Sequence, residues 1–224
     1  NVKEAVLNSD VSFIIVPTPS QEDGSFKTKL VETVAVAIGE VLRDKKDYHL
    51  IVVTSTVLPG DTARIVQLLE KSSGKKCNVD FGVCYNPDFI ALGTVVRDFL
   101  NPDMILIGQS DNKAGDTLCD IHKSLVDNKP SINRMTFENA ELTKIALNSY
   151  CTLKITFANV IADICEKFPN GNASVVTTAL GFDTRIGGKY LKGGLSYGGP
   201  CFPRDYIAFA WAACQLGVKH TLAL

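Results

Sequence analysis

The chain has 224 residues, 46% of them hydrophobic, with a formal net charge of −1. That is enough apolar material for one large or two modest globular domains. Its Lys and Arg are dispersed, which leaves no basic footprint for nucleic acid, and no apolar run in the sequence reaches membrane-spanning length. Seven cysteines without CxxC or Cys/His zinc spacing point to free thiols in a reducing, cytoplasmic compartment, with neither a disulfide framework nor a metal site.

In chain order, 11–16 (VSFIIV), 50–54 (LIVVT), 81–85 (FGVCY) and 104–107 (MILI) are short, nearly continuous apolar runs rich in β-branched residues. Such runs fit strands buried on both faces. Helical periodicity falls between them at 28–43 and 60–71, with a further helix at 116–125. Alternating strands and helices predict a parallel α/β sheet. The loops Pro17-Thr18-Pro19, Ser55-Thr56-Val57 and Asn86-Pro87-Asp88 then gather at the carboxyl edge, where open α/β sheets bind ligands.

After Pro130 the pattern changes: 138–167 runs without Gly or Pro and opens with Glu138 and Glu141, as a helix start prefers. Its apolar positions wrap most of the circumference, so it is expected to be buried on several sides, one of them a subunit interface. Lys144 and Asn148, four residues apart, share a face of it and could reach one ligand. A shorter helix is expected over 173–180, stopped by Gly181, followed by glycine clusters at 187–188 and 193–194.

The segment 198–205, Gly-Gly-Pro-Cys-Phe-Pro-Arg-Asp, places Cys201 on a glycine-permitted loop before a helix over 206–216, with Pro203 suited to the first helical position. Near the positive end of a helix an anionic sulfur is favoured. Asp205, one turn further on, could hold a water or take a proton. The alternative is a small buried cysteine beside a glycine turn.

Taken together, VPTPS (16–20), TSTVLPG (54–60), YNPDFIALG (85–93), NPDMILIG (101–108), ENAELTKIALNSY (138–150) and DTRIGGKYLKGGLSYGGPCFPRD (183–205) resemble the UDP-glucose/GDP-mannose dehydrogenase family over nearly the whole chain. The resemblance implies the second half of a Rossmann-type NAD domain at 1–133, followed by an all-α central dimerisation domain with one long helix at 134–224. It further implies an NAD-dependent, four-electron oxidation of the C6 alcohol of a nucleotide sugar to the carboxylate. UDP-glucose to UDP-glucuronate leads, with UDP-N-acetylhexosamine and GDP-mannose as alternative substrates.

Matching the motifs makes Cys201 the nucleophile that carries a thiohemiacetal and then a thioester. Lys144 resembles the oxyanion-stabilising cation, and Asn148 its partner on the sugar oxygen. Asp205 and Thr56 resemble the pair that positions water. Asp88 stands where the family's NPEF has an acid/base Glu, one methylene shorter. Cofactor contacts are expected from Ile15, Val16, Pro17, Thr18, Pro19, Ser55, Thr56, Val57, Cys201 and Arg204. Substrate contacts are expected from Asp88, Phe89, Ile90, Ala91, Lys144, Asn148, Lys192, Tyr197 and Gly198. Arg185 matches an arginine that reaches into the partner subunit's site, which implies a homodimer through the 138–167 helix. Leu92 departs from the Glu of the family's FLAEG loop.

No GxGxxG occurs in the chain, so the first phosphate-binding turn is expected outside it, as is the family's base-reading C-terminal domain. The chain is therefore expected to be an internal piece, inactive by itself. Two readings compete with the enzyme: a catalytically silent dimerisation relative, and a different thiol oxidoreductase such as an aldehyde dehydrogenase. The joint presence of Cys201, Lys144, Asn148, Asp205 and Thr56 argues against the first, and the FDTRIGGKYL run disfavours the second.

Overall fold

A computed structural model describes residues 1–195, 197 and 199–218, so Gly198 lies outside the described residues. They form two compact units. Unit 1 comprises residues 1–21 and 26–144, and unit 2 comprises residues 22–25 and those from Ile145 onward.

Unit 1 is built on a five-stranded sheet in the order β1-β2-β3-β4-β5. The strands are β1 (Val11–Ile14), β2 (His49–Val53), β3 (Phe81–Tyr85), β4 (Met104–Gln109) and β5 (Ser131–Met135). Between and around them run α1 (Val2–Leu7), α2 (Lys29–Leu42), α3 (Asp61–Ser73), α4 (Val95–Leu100) and α5 (Asn112–Leu125). Every residue of β2 and β3 is buried, as their unbroken apolar runs require. One core, with Ile51, Val53, Val83 and Tyr85, packs against α2 and α3, while a second, with Leu50, Val52, Cys84 and Ile107, takes Leu118 and Cys119 of α5.

Two features correct the sequence-based expectation. β4 pairs antiparallel with β3, and the other neighbours are parallel, so the sheet is mixed. The connection from β3 to β4 holds only the six-residue α4, too short for the crossover helix a parallel pair needs. β5 adds a strand the apolar runs did not announce, because it is a half-exposed edge in which Ser131, Asn133 and Arg134 interrupt the apolar residues.

The long helix α6 (Phe137–Cys165, 29 residues) begins in unit 1 and continues into unit 2. By length and composition it could cross a membrane, contrary to the reading from sequence, and 33% of its apolar window is buried. Glu141, Lys144, Asn148, Ser149 and Thr152 on it are nevertheless buried polar residues, and Glu141, Lys144 and Asn148 carry tertiary hydrogen bonds. Those partners identify it as a helix that packs within protein.

Unit 2 adds α7 (Ala173–Phe182) and α8 (Cys201–Gln215) to the remainder of α6. Helix α7 passes through Gly181, which a sequence reading would make its stop, and a Cβ there would lie 2.8 Å from Gly188 Cα. Gly181 is thus needed for a close backbone approach to Gly188. Lys154 Nζ donates to Ile186 O (3.0 Å) and Gly187 O (2.9 Å), and Asn159 Oδ1 accepts from Gly194 N (2.8 Å), so α6 fastens both glycine-bordered loops. Residues 22–25 pack on α8: Gly24 has φ +91°, and a Cβ there would meet Ile207 Cγ2 at 2.7 Å.

His49 on β2 is fully buried, with Nε2 2.9 Å from Ser12 Oγ. Burial, with a smaller contribution from the Lys45 charge, lowers its pKa to about 4. A folded-state value below the ordinary 6.5 means that the unfolded chain binds more protons between those pH values, so stability falls as pH drops from about 6.5 to 4. At about 1.4 kcal/mol per tenfold change in proton affinity, the loss approaches roughly 3 kcal/mol. Urea midpoints of wild type and His49→Gln, followed from pH 7 to 4, are expected to converge over that window, and parallel curves would refute the assignment.

Candidate active site

The chemistry-bearing residues fall into one group in each unit. In unit 1 the parallel strands β1, β2 and β3 send their following loops to one edge. Ser55 Oγ accepts from Val16 N (2.9 Å) and donates to Val16 O (2.7 Å), while Thr18 Oγ1 donates to Thr56 O (2.7 Å). Pairing of the loops this way keeps 15–19 extended beside Ser55–Val57. Ile15 and Pro17 are left exposed, with Thr18 and Val57 buried beneath.

The third loop is held by Asn86, whose N donates to Val53 O (2.9 Å), whose Nδ2 donates to Leu106 O (2.9 Å) and whose Oδ1 lies 2.8 Å from His122 Nε2. Asp88 follows, and burial raises its pKa while the Lys144 charge opposes the rise. Lys144 Nζ donates to the main-chain oxygen of Asp88 and sits 4.6 Å from the centre of the Phe89 ring. The ammonium, 8% exposed as a residue, is thus held by a carbonyl dipole and an aromatic face beside a protonatable carboxyl. Ile90 is exposed, whereas Ala91 uses N–H on Asp98 Oδ2 (3.1 Å) and C=O on Thr94 N (3.0 Å), leaving it only packing contacts to offer.

In unit 2, Cys201 is the first residue of α8 and Pro200 its N-cap, which corrects the expectation of Cys201 on a loop with Pro203 at the first helical position. Pro203 sits inside the first turn, where an N–H has no intrahelical partner to lose. Cys201 is exposed and is a free thiol, as are the other six cysteines. One turn on, Asp205 is 1% exposed, and its carboxylate accepts from Asn148 Nδ2 (2.6 Å) and pairs with Arg204 (3.0 Å). The thiol therefore stands above a buried carboxylate whose orientation is set by an amide and a guanidinium. Tyr190 packs edge-on against Phe202 at 5.6 Å, closing the near side of the helix start. Lys192 is exposed and Tyr197 half-buried, while Arg185 extends into solvent and pairs with Asp183 (2.6 Å).

Asn86 and Glu141 were not singled out from sequence as site residues. Glu141 does not serve the start of its own helix. It accepts from Gly60 N (2.7 Å) and Thr62 N (2.7 Å) at the start of α3. Asn86 was legible only as part of a turn; its three partners lie on β2, β4 and α5.

A mixed α/β sheet with laced loops at its carboxyl edge, followed along a long helix by a unit with an exposed helix-start cysteine, has the features of a dinucleotide-binding fold that carries a candidate nucleophile. Residues 1–126 match the NAD binding domain of the UDP-glucose/GDP-mannose dehydrogenase family, and residues 138–224 match its central domain. The chain belongs to that family. It is 37% identical to a UDP-glucose 6-dehydrogenase of Haloferax volcanii, over 98% of this chain and 51% of the relative. With a GDP-mannose 6-dehydrogenase of Pseudomonas aeruginosa it shares 40% identity, over 98% of this chain and 50% of that protein. The structure of a UDP-glucose dehydrogenase from the archaeon Pyrobaculum islandicum superposes with a TM-score of 0.89 at 37% identity, covering 98% of this chain and 49% of that one. The chain thus spans about half the length of the relatives it matches.

The edge formed by Ile15–Pro19 and Ser55–Val57 is compatible with NAD: exposed Ile15 and Pro17 offer an apolar wall, and the Ser55 and Thr18 hydroxyls fix the two loops beside each other.

Proposed function

We propose that the complete protein carrying this chain oxidises the C6 alcohol of a nucleotide sugar to the carboxylate, with UDP-glucose as the first substrate to test. The carrying observation is Cys201, exposed at the first residue of α8 one turn from the buried Asp205–Asn148 pair. NAD, when bound, supplies the hydride acceptor for both oxidations. Cys201 Sγ attacks the C6 carbonyl carbon once the alcohol has lost its first hydride, forming a C–S bond and retaining the aldehyde-level carbon as a thiohemiacetal.

Loss of the second hydride leaves a thioester. Water then attacks the same carbon, the C–S bond breaks, and the sulfur leaves as thiolate. Lys144 meets the negative oxygen at each tetrahedral stage, and Asn148 donates to it from the same face of α6. Asp205 and Thr56 hold the water. Asp88, whose carboxyl pKa burial raises above the usual carboxylate value against the opposing Lys144 charge, is the group proposed to exchange the protons. The nucleotide sugar rests on Phe89, Ile90, Lys192 and Tyr197.

Tyr150, Phe157, Val160 and Ile164 lie along one side of α6 and are each about half exposed. This uncovered apolar stripe supports a homodimer through the helix, with Arg185 reaching the partner's site.

The test is the yield of NADH per sugar consumed. Two NADH and a carboxylate from UDP-glucose, or from GDP-mannose or a UDP-N-acetylhexosamine in its place, are expected. One NADH with release of free aldehyde, or none with any of these, would refute the proposal.

A further inference from the structure

We infer that Glu141 is a positioning residue: its buried carboxylate pins α6 to the start of α3 and so sets Lys144 against the loops that follow β2 and β3. As a role in catalysis, this rests on the function proposed above.

Gly60, the N-cap of α3, has φ +98° and no side chain with which to cap the helix. A local Ser, Thr or Asp cap would be strained at that angle, so the first-turn N–H groups must be met from elsewhere. Glu141, 0% exposed, meets two of them, one with each carboxylate oxygen at 2.7 Å, from 81 and 79 residues away in sequence. Burying a carboxylate is costly unless it is well bonded, and bonds to charged groups are stronger than neutral ones. The arrangement is therefore stiff.

A second contact acts beside it. A Cβ on Gly108 of β4 would meet Ala140 Cβ at 3.0 Å and Phe137 Cα at 3.1 Å, so the glycine lets the first turn of α6 lie close against the strand. Lys144 follows Glu141 by three residues and shares its face. The turn of α6 that Glu141 anchors on the loop of Ser55 and Thr56 is therefore the turn from which Lys144 reaches Asp88 O and the Phe89 ring. Shifting that anchor moves the ammonium relative to both loops.

A helix cap alone would affect only α3. The distinguishing experiment uses the complete protein as wild type and Glu141→Gln, which keeps side-chain volume but turns an N–H donor toward one of the two main-chain donors. Two readings are taken: backbone hydrogen exchange in 55–64 and in 86–90, and kcat against KM for the nucleotide sugar. Faster exchange in both segments, with kcat lowered roughly 10- to 100-fold and KM within about threefold, is expected, because small misplacements of a reacting group cost that much. Exchange confined to 55–64, or kcat within about threefold of wild type, would overturn the inference and leave Glu141 as a cap. If Glu141→Gln does not fold, Glu141→Asp, which keeps the charge and withdraws it by one methylene, is judged by the same criteria. Should the wild type oxidise no nucleotide sugar, the proposed function fails, and exchange in 86–90 alone decides whether Glu141 holds Lys144 in place.

Discussion

Cys201→Ser is expected to lower carboxylate formation by at least about 10³-fold, or roughly 4 kcal/mol of activation free energy. A thiol is partly ionised near neutral pH and intrinsically a strong nucleophile, whereas a serine hydroxyl needs a base to lend it comparable reactivity. Asp205, one turn below, is already engaged by Asn148 and Arg204, so it is not free to serve a hydroxyl in that way. The first oxidation makes no bond to sulfur, so it should survive in part, and a single turnover should stop near one NADH. Because Cys201 is exposed, the thermal midpoint should move little. Product analysis by mass spectrometry beside NADH absorbance checks both points. Two NADH per sugar from the variant at near wild-type rate would remove Cys201 from the mechanism.

Lys144→Met should reduce kcat by about 10²- to 10³-fold, the usual consequence of deleting a donor aimed at a developing oxyanion. Methionine retains the apolar stem over Phe89 while removing the charge, so folding is expected to persist. Arginine should not restore activity, because a planar fork does not reproduce a compact ammonium seated on a single carbonyl. A second signature follows from Asp88. Burial raises its carboxyl pKa and Lys144 is the charge that opposes the rise, so without Lys144 the value climbs further. If Asp88 acts as the base, the acid limb of the rate profile moves to higher pH in Lys144→Met. An unmoved limb, with kcat reduced, would keep Lys144 in its role and exclude Asp88 from the acid/base one.

Strands β2 and β3 were legible because continuous apolar runs such as LIVVT and FGVCY have few fates other than a strand buried on both faces, whereas β1 was found by its apolar run but is an edge strand with Phe13 exposed, not one buried on both faces. The cysteine motif and the paired Lys144 and Asn148 were likewise readable, since local spacing alone puts each on a helix start or a helix face. Strand direction was not, because the apolar run of β4 reads the same whether it lies parallel or antiparallel to β3; the short β3–β4 connection decides that. β5 escaped because an edge strand half in solvent needs no apolar run. The start of α8 was placed two residues late, since Pro203 is tolerated anywhere in a first turn and does not by itself mark the first position.

What the chain's residues determined alone was thus most of the element types, the family and which side chains are proposed as reacting groups, all of which depend on neighbours within a few positions. Which groups hold them depended on the tertiary structure. Glu141 caps a helix some eighty residues upstream, Asn86 joins β2, β4 and α5, and Asp205 is oriented by Asn148 from 57 residues away. Hydrogen bonds between such distant positions leave no periodic trace, because they form only when the packed elements bring donor and acceptor within reach.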